Sequence, residues 1–184
     1  MRDSRHPALM GLFAVVTFLP LLAAAQVADS PEISRLLREA KSHAALAEDD
    51  AITLESYTNS TMSWKSHATR LTEIKHHAND LMADFNKLSS LRIEASPWQM
   101  EAIDHINPLL HDISDHLAET MNYLDGNSNK IRTQSFRDYV HVNRELISNG
   151  YRIISDLVDY GEAKSKAGDL EKTIRSAAGH TPNN

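Results

Sequence analysis

The 184-residue chain holds 41% apolar and 24% charged residues, the balance of a folded domain rather than of a disordered segment. A formal net charge of −6, with no dense Lys/Arg run, argues against a nucleic-acid partner. There is no cysteine, which excludes disulfides, covalently attached c-type haem, cysteine-ligated iron-sulfur clusters, thiol catalysis and zinc-thiolate sites.

Residues 1–25 read as a signal peptide. Arg2 and Arg5 give a positive start, residues 9–22 an apolar stretch, and Ala23, Ala24 and Ala25 a small-residue site with cleavage expected before Gln26. The alternative is an uncleaved anchor, against which stand Pro20 and the shortness of residues 8–25 for a membrane span. Loss of Arg2, Arg5 and Asp3 makes the mature chain one charge more negative. The expected location is periplasmic or secreted, with no stable membrane span after cleavage, because every later apolar run is interrupted by charges.

The first helix starts at Ser30 as N-cap, with Pro31 in its first turn and Glu32 beside the positive end of the helix dipole. Its stripe of Ile33, Leu37, Ala40, Ala44, Ala47, Ala51 and Leu54 keeps three- and four-residue spacing to about residue 58. A break near Glu48 to Asp50 is the alternative for this segment. The Ser/Thr/Asn-rich residues 56–63 form the turn.

In the second helix Trp64, Leu71, Ala78 and Phe85 alternate with His67, Ile74, Leu81 and Leu88 in a seven-residue repeat that ends near Leu91. Ser96, Pro97 and Gln99 open the third helix as N-cap, first-position proline and capping-box glutamine. Its seam is Ile103, Ile106, Leu110, Ile113, Leu117, Thr120 and Leu124, with Pro108 on the outer side. After a turn at residues 125–129, the fourth seam reads Phe136, Tyr139, Asn143, Leu146, Gly150, Ile153, Leu157 and Tyr160.

Four segments of similar length joined by short turns predict an all-α fold, an antiparallel up-down-up-down four-helix bundle over residues 26–165. Residues 166–184 are expected to form a polar tail, partly helical or disordered, with a short helix at 169–177. In the antiparallel alignment Ala40, Ala78, Ile106 and Gly150 fall near one level, where the bundle narrows.

His67 stands on an apolar seam, so it is expected to be buried and hydrogen-bonded, with Tyr139 and Thr120 as partners and Asn143 as a further buried polar or ligand candidate. His105, Asp112 and His116 share a face of the third helix, and the last two have metal-chelating spacing. That face points about 120° from the seam, so they are weak metal candidates on a wet surface. His76 and His77 point about 100° apart and have no stronger claim. A di-iron bundle needs two Glu-x-x-His motifs, and only Glu73 with His76 fits. Non-covalent haem would require His67 with Met121 or Met62. No catalytic residue is indicated, and no cofactor is implied.

Ser63, Trp64, Lys65, Ser66 and His67, the run Ala95 to Gln99, and the stretch Val158 to Gly161 resemble segments of small exported bacterial helical proteins with no assigned activity. The resemblance implies a bacterial origin and carries over no catalytic residue. At fold level the chain is also similar to four-helix sensor domains of bacterial chemoreceptors, although it lacks their second membrane helix and signalling region. The functional expectation is a non-enzymatic exported bundle acting by protein-protein or helix association, with an envelope protein or a second copy as partner. The alternative is a periplasmic carrier of a small ligand, metal or haem.

Overall fold

A computed structural model of the protein describes residues 28–178; the expected signal peptide and the last six residues lie outside this range. Among the described residues the regular structure is helical throughout: α1 (Pro31–Thr58), α2 (Trp64–Ser90), a single 3-10 turn (Arg92–Glu94), α3 (Pro97–Gly126) and α4 (Gln134–Ala178). The helix starts use the residues the sequence offers. Ser30 accepts the amide of Ile33, Ser63 accepts that of Ser66, and the Gln99 side chain accepts the amide of Ser96, so each start satisfies a backbone donor that helix geometry would otherwise strand. α1 runs unbroken through Glu48, Asp49 and Asp50.

α1 packs on α2 and α4, and α3 packs on the same two helices. The core has two parts. One gathers Ile33, Leu36, Leu37, Phe85, Leu88, Ile103, Ile106 and Ile154; the other gathers Leu54, Leu71, Ile74, Leu117, Phe136 and Ile147. Between them α1 presents Ala40, Ala44, Ala47 and Ala51, all buried, small side chains that allow close helix approach. No described helix is long and apolar enough to cross a membrane.

The α2 and α3 seams lie where the periodicity puts them, with one exception. Trp64 is 43% exposed, because as the first residue of α2 it lies at the edge of the repeat, where no helix covers it. α4 differs more. Its buried line is Phe136, Val140, Asn143, Ile147, Gly150, Ile154 and Val158, while Tyr139, Leu146, Ile153 and Leu157 are half-buried flanks and Tyr160 is exposed. Two adjacent apolar stripes run along this helix. The stripe of Phe136, Val140, Ile147, Ile154 and Val158 faces inward and that of Tyr139, Leu146, Ile153 and Leu157 shields its edge, a choice that spacing alone leaves open.

Gly150 lies against Ile113 rather than level with Ile106: a β-carbon at 150 would stand 3.0 Å from Ile113 Cδ1. The approach there is close, as the sequence suggested, but its partner lies two turns further along α3. α4 also continues through Gly161 and Gly168 to Ala178, so the expected polar tail is a direct extension of the fourth helix. Each interior glycine costs about 1 kcal/mol relative to alanine, which the surrounding Glu, Ala, Lys and Leu residues tolerate, and no proline intervenes.

Candidate functional site

His67 is buried as expected, but its partners are different ones. Its Nδ1 lies 2.8 Å from the carbonyl oxygen of Ser63, an acceptor, so this nitrogen carries the proton. Nε2 is then a buried acceptor without a partner. The ring stands edge-on to Tyr57 and to Phe136, with centroids 5.8 and 5.4 Å away, so aromatic packing holds the side chain where hydrogen bonds from Tyr139 and Thr120 were expected.

Thr120 and Asn143 do meet, without His67. Asn143 donates through Nδ2 to Thr120 Oγ1 and to the Tyr139 carbonyl oxygen, and Thr120 donates to the carbonyl of His116. This places one buried polar link between α3 and α4, with Asn143 Oδ1 unpartnered. Tyr139 itself contributes its backbone carbonyl and a ring packed at 5.1 Å from Tyr123.

His105, Asp112 and His116 do not form a metal-sized cluster. His105 Nδ1 donates to the Glu101 carbonyl at 2.8 Å, and His116 faces Glu119 at 3.5 Å. His105 and Asp112 are exposed, as their helical phase requires, while His116 is half-buried with its ring 6.3 Å from that of Tyr139.

Trp98 and Gln99, at the start of α3, build a clamp with Asp29, Ser30 and Lys164 at the end of the molecule where α1 and α3 begin. Gln99 accepts from the Ser30 amide and donates to the Ser30 carbonyl and the Ser34 hydroxyl, all at 3.0 Å. Trp98 Nε1 donates to Asp29 Oδ1 at 2.8 Å, and Lys164 reaches the same oxygen at 2.8 Å while lying 5.9 Å over the indole. Burial pushes the Asp29 carboxyl up, but its bonds from Lys164 and Trp98 outweigh this and hold it below its ordinary value. A cleft of about 390 Å³, lined by Asp29, Leu37, Trp98, Gly161 and Lys166 among others, opens beside the clamp. Beyond it α4 is solvent-exposed, carrying Leu170 and Ile174 at 61% and 58% exposure.

The densest polar arrangement lies between α1 and α2. His43, Asp50 and Tyr57 are seven residues apart along α1, and they face Asp84, His77 and Arg70, also seven apart, along α2. His43 Nε2 is 3.6 Å from Asp84 Oδ2, and His77 Nε2 is 3.5 Å from Asp50 Oδ2. Arg70 bonds Asp50 and lies 2.8 Å from Glu73. With Tyr57 beside it, and against the opposing effect of burial, the Arg70 guanidinium is held above its ordinary value. Asp80 Oδ2 lies 2.9 Å from His76 Nδ1 and 3.9 Å from His43 Nδ1. The sequence reading missed His43 and the two buried aspartates because they stand one position off the apolar stripes, among residues read as solvated. The signal was present as two polar seven-residue ladders that match in opposite directions.

Comparisons with family models, curated proteins and solved structures returned no match, so the functional reading rests on geometry.

Proposed function

We propose that the mature chain is an exported up-down-up-down four-helix bundle that acts by helix association, with a second copy of the same chain as its partner. The topology is supported by cross-helix pairs whose numbers rise on one helix as they fall on the other. These are His43 with Asp84 and Asp50 with His77, Ile113 with Gly150 and Thr120 with Asn143, and Lys41 with Asp159 and Glu55 with Arg144. The signal peptide at residues 1–25 supports export to the periplasm or beyond.

The observation that carries the association is the exposed end of α4. Past Lys164 the helix runs on for 14 residues, roughly 21 Å at 1.5 Å per residue. Along this end of α4, from just before Lys164, Ala163, Ala167, Leu170, Ile174 and Ala177 alternate at four and three residues, the spacing of a coiled-coil seam, and all five are exposed. In a parallel pair the positions flanking this seam set Lys166 of one copy against Glu171 of the other, twice by symmetry. A helix end this short is marginal alone, so the bundle below it must supply the preformed helix.

Sedimentation velocity of the tag-free mature chain over a concentration series tests this. A monomer-dimer equilibrium that disappears in the Leu170→Glu, Ile174→Glu double variant supports the reading. A monomer at every concentration, or a dimer that survives both substitutions, overturns it. Amino-terminal sequencing of protein from the periplasmic fraction checks export, with Gln26 expected first.

A further inference from the structure

We infer that the polar seam between α1 and α2 is a binding site for a divalent transition-metal ion, zinc above all, with His43, His77 and Asp80 as its protein ligands. One ligand atom from each of the three residues lies within 4.8 Å of the other two. Zinc bonds to nitrogen and oxygen of about 2.0 to 2.2 Å put tetrahedral ligand atoms about 3.3 Å apart, so a small inward shift of partly exposed side chains closes the site. His77 and Asp80 sit one turn apart on α2, and His43 reaches them from α1. The ion would therefore bridge two helices.

In each histidine one nitrogen faces a carboxylate and the other is buried and unpartnered. His77 Nε2 faces Asp50 and His43 Nε2 faces Asp84, while Nδ1 of both rings is buried without a hydrogen-bond partner. This is the arrangement in which a carboxylate takes the proton-bearing nitrogen of a histidine, fixes the ring and raises the basicity of the nitrogen that binds the metal. Asp84 supplies a separate indication. Its side chain is 8% exposed; Oδ1 accepts from Lys87 Nζ at 3.1 Å, while Oδ2 is aimed at His43 and has no hydrogen-bond partner in the structure. A buried carboxylate oxygen in that position gains its partner when His43 Nε2 carries the proton, the tautomer that leaves Nδ1 free to bind metal.

Two imidazoles with one carboxylate favour zinc and its nitrogen-preferring neighbours over calcium or magnesium, which take oxygen ligands. Three protein ligands leave a fourth position for water, and the partial exposure of His43, His77 and Asp80 gives the ion a route in.

The test uses tag-free mature protein stripped by a chelator, then titrated with Zn²⁺ by calorimetry and with Co²⁺ by visible absorption. One Zn²⁺ per chain is expected, with the intense absorption of four-coordinate Co²⁺. His43→Gln and Asp80→Asn should each weaken Zn²⁺ binding at least tenfold; Asp50→Asn, which alters the carboxylate facing His77 and also its ion pair with Arg70, should weaken it by roughly 10- to 100-fold. His105→Gln and His116→Gln should leave it unchanged. Asp80→Asn changes a partly exposed side chain, so it serves as the folded variant if His43→Gln does not fold, with circular dichroism as the check. Binding below one ion per chain overturns the inference, as does binding that His43→Gln and Asp80→Asn leave intact. Either result would reduce the histidines to charge partners of Asp50 and Asp84.

Discussion

Gly161 of α4 lies flat against the indole of Trp98, so closely that a β-carbon at position 161 would stand 2.3 Å from Trp98 Cη2 and 2.8 Å from Cζ2. Replacing an interior helical glycine with alanine ordinarily stabilises by about 0.5 to 1 kcal/mol. At Gly161 the sign should reverse. Gly161→Ala is expected to cost roughly 1 to 3 kcal/mol, because the ring must move off Asp29 and Lys164 to make room. Gly168, where a β-carbon would meet nothing within 4 Å, should show the ordinary gain. Chemical denaturation of the two single variants measures both, and equal effects would show that the indole yields without cost.

The buried link between Thr120 and Asn143 should show up as coupling. Both side chains are fully buried, and removing either one takes away the same hydrogen bond. A double-mutant cycle of Thr120→Ala and Asn143→Ala is expected to give an interaction of about 0.5 to 1.5 kcal/mol. Additive effects would mean that each side chain acts through packing alone.

His67→Leu is expected to leave stability unchanged or to raise it slightly. The Ser63 carbonyl that accepts from the ring also accepts the His67 amide, at 3.3 Å, so losing the imidazole strands no buried acceptor. The substitution also removes an Nε2 that has no partner. A loss of more than about 2 kcal/mol in thermal or urea unfolding would show that the unpartnered nitrogen bonds something inside the bundle.

The Asp29 clamp gives a pH dependence of known sign. Because the folded carboxyl is held below its ordinary value, its contribution is present above about pH 4 and is lost as the pH falls through the lowered value. The group is partly exposed and its Lys164 partner more so, so the effect should stay below about 1 kcal/mol. Asp29→Asn should therefore lower Tm slightly at neutral pH and flatten the acid limb, with the two proteins converging as the pH falls. Parallel Tm-against-pH curves would show that Asp29 adds nothing that depends on its charge.

These residues also mark what was legible in the sequence. Ser30 and Gln99 announced two of the helix starts because capping is local, whereas residues 56–63 offered several caps for α2, and the burial of His67, Thr120 and Asn143 followed from seam phase. Which residues those three would touch did not follow, since a shift of one turn between helices exchanges every partner. The phase of α4 was ambiguous for a different reason: Val140, Ile147 and Ile154 lie beside Tyr139, Leu146 and Ile153, and both stripes satisfy the same period. His43 and Asp84 were invisible because a polar residue is read as solvated until the helix facing it is known. The end of α4 was misplaced because glycines at 161 and 168 look like stops, when at Gly161 the lack of a side chain makes room for Trp98.

The matched polar ladders on α1 and α2 also act as a ruler. Purely apolar seams can slide past one another by a heptad, about 10 Å, and still bury similar surface. Here a slide in one direction would set the carboxylate of Asp50 against that of Asp84, and in the other it would press Asp84 onto Leu36. Either displacement sets a buried carboxylate against another carboxylate or against an apolar side chain, so the hairpin of α1 and α2 favours one alignment even where its alanines and leucines are indifferent to position.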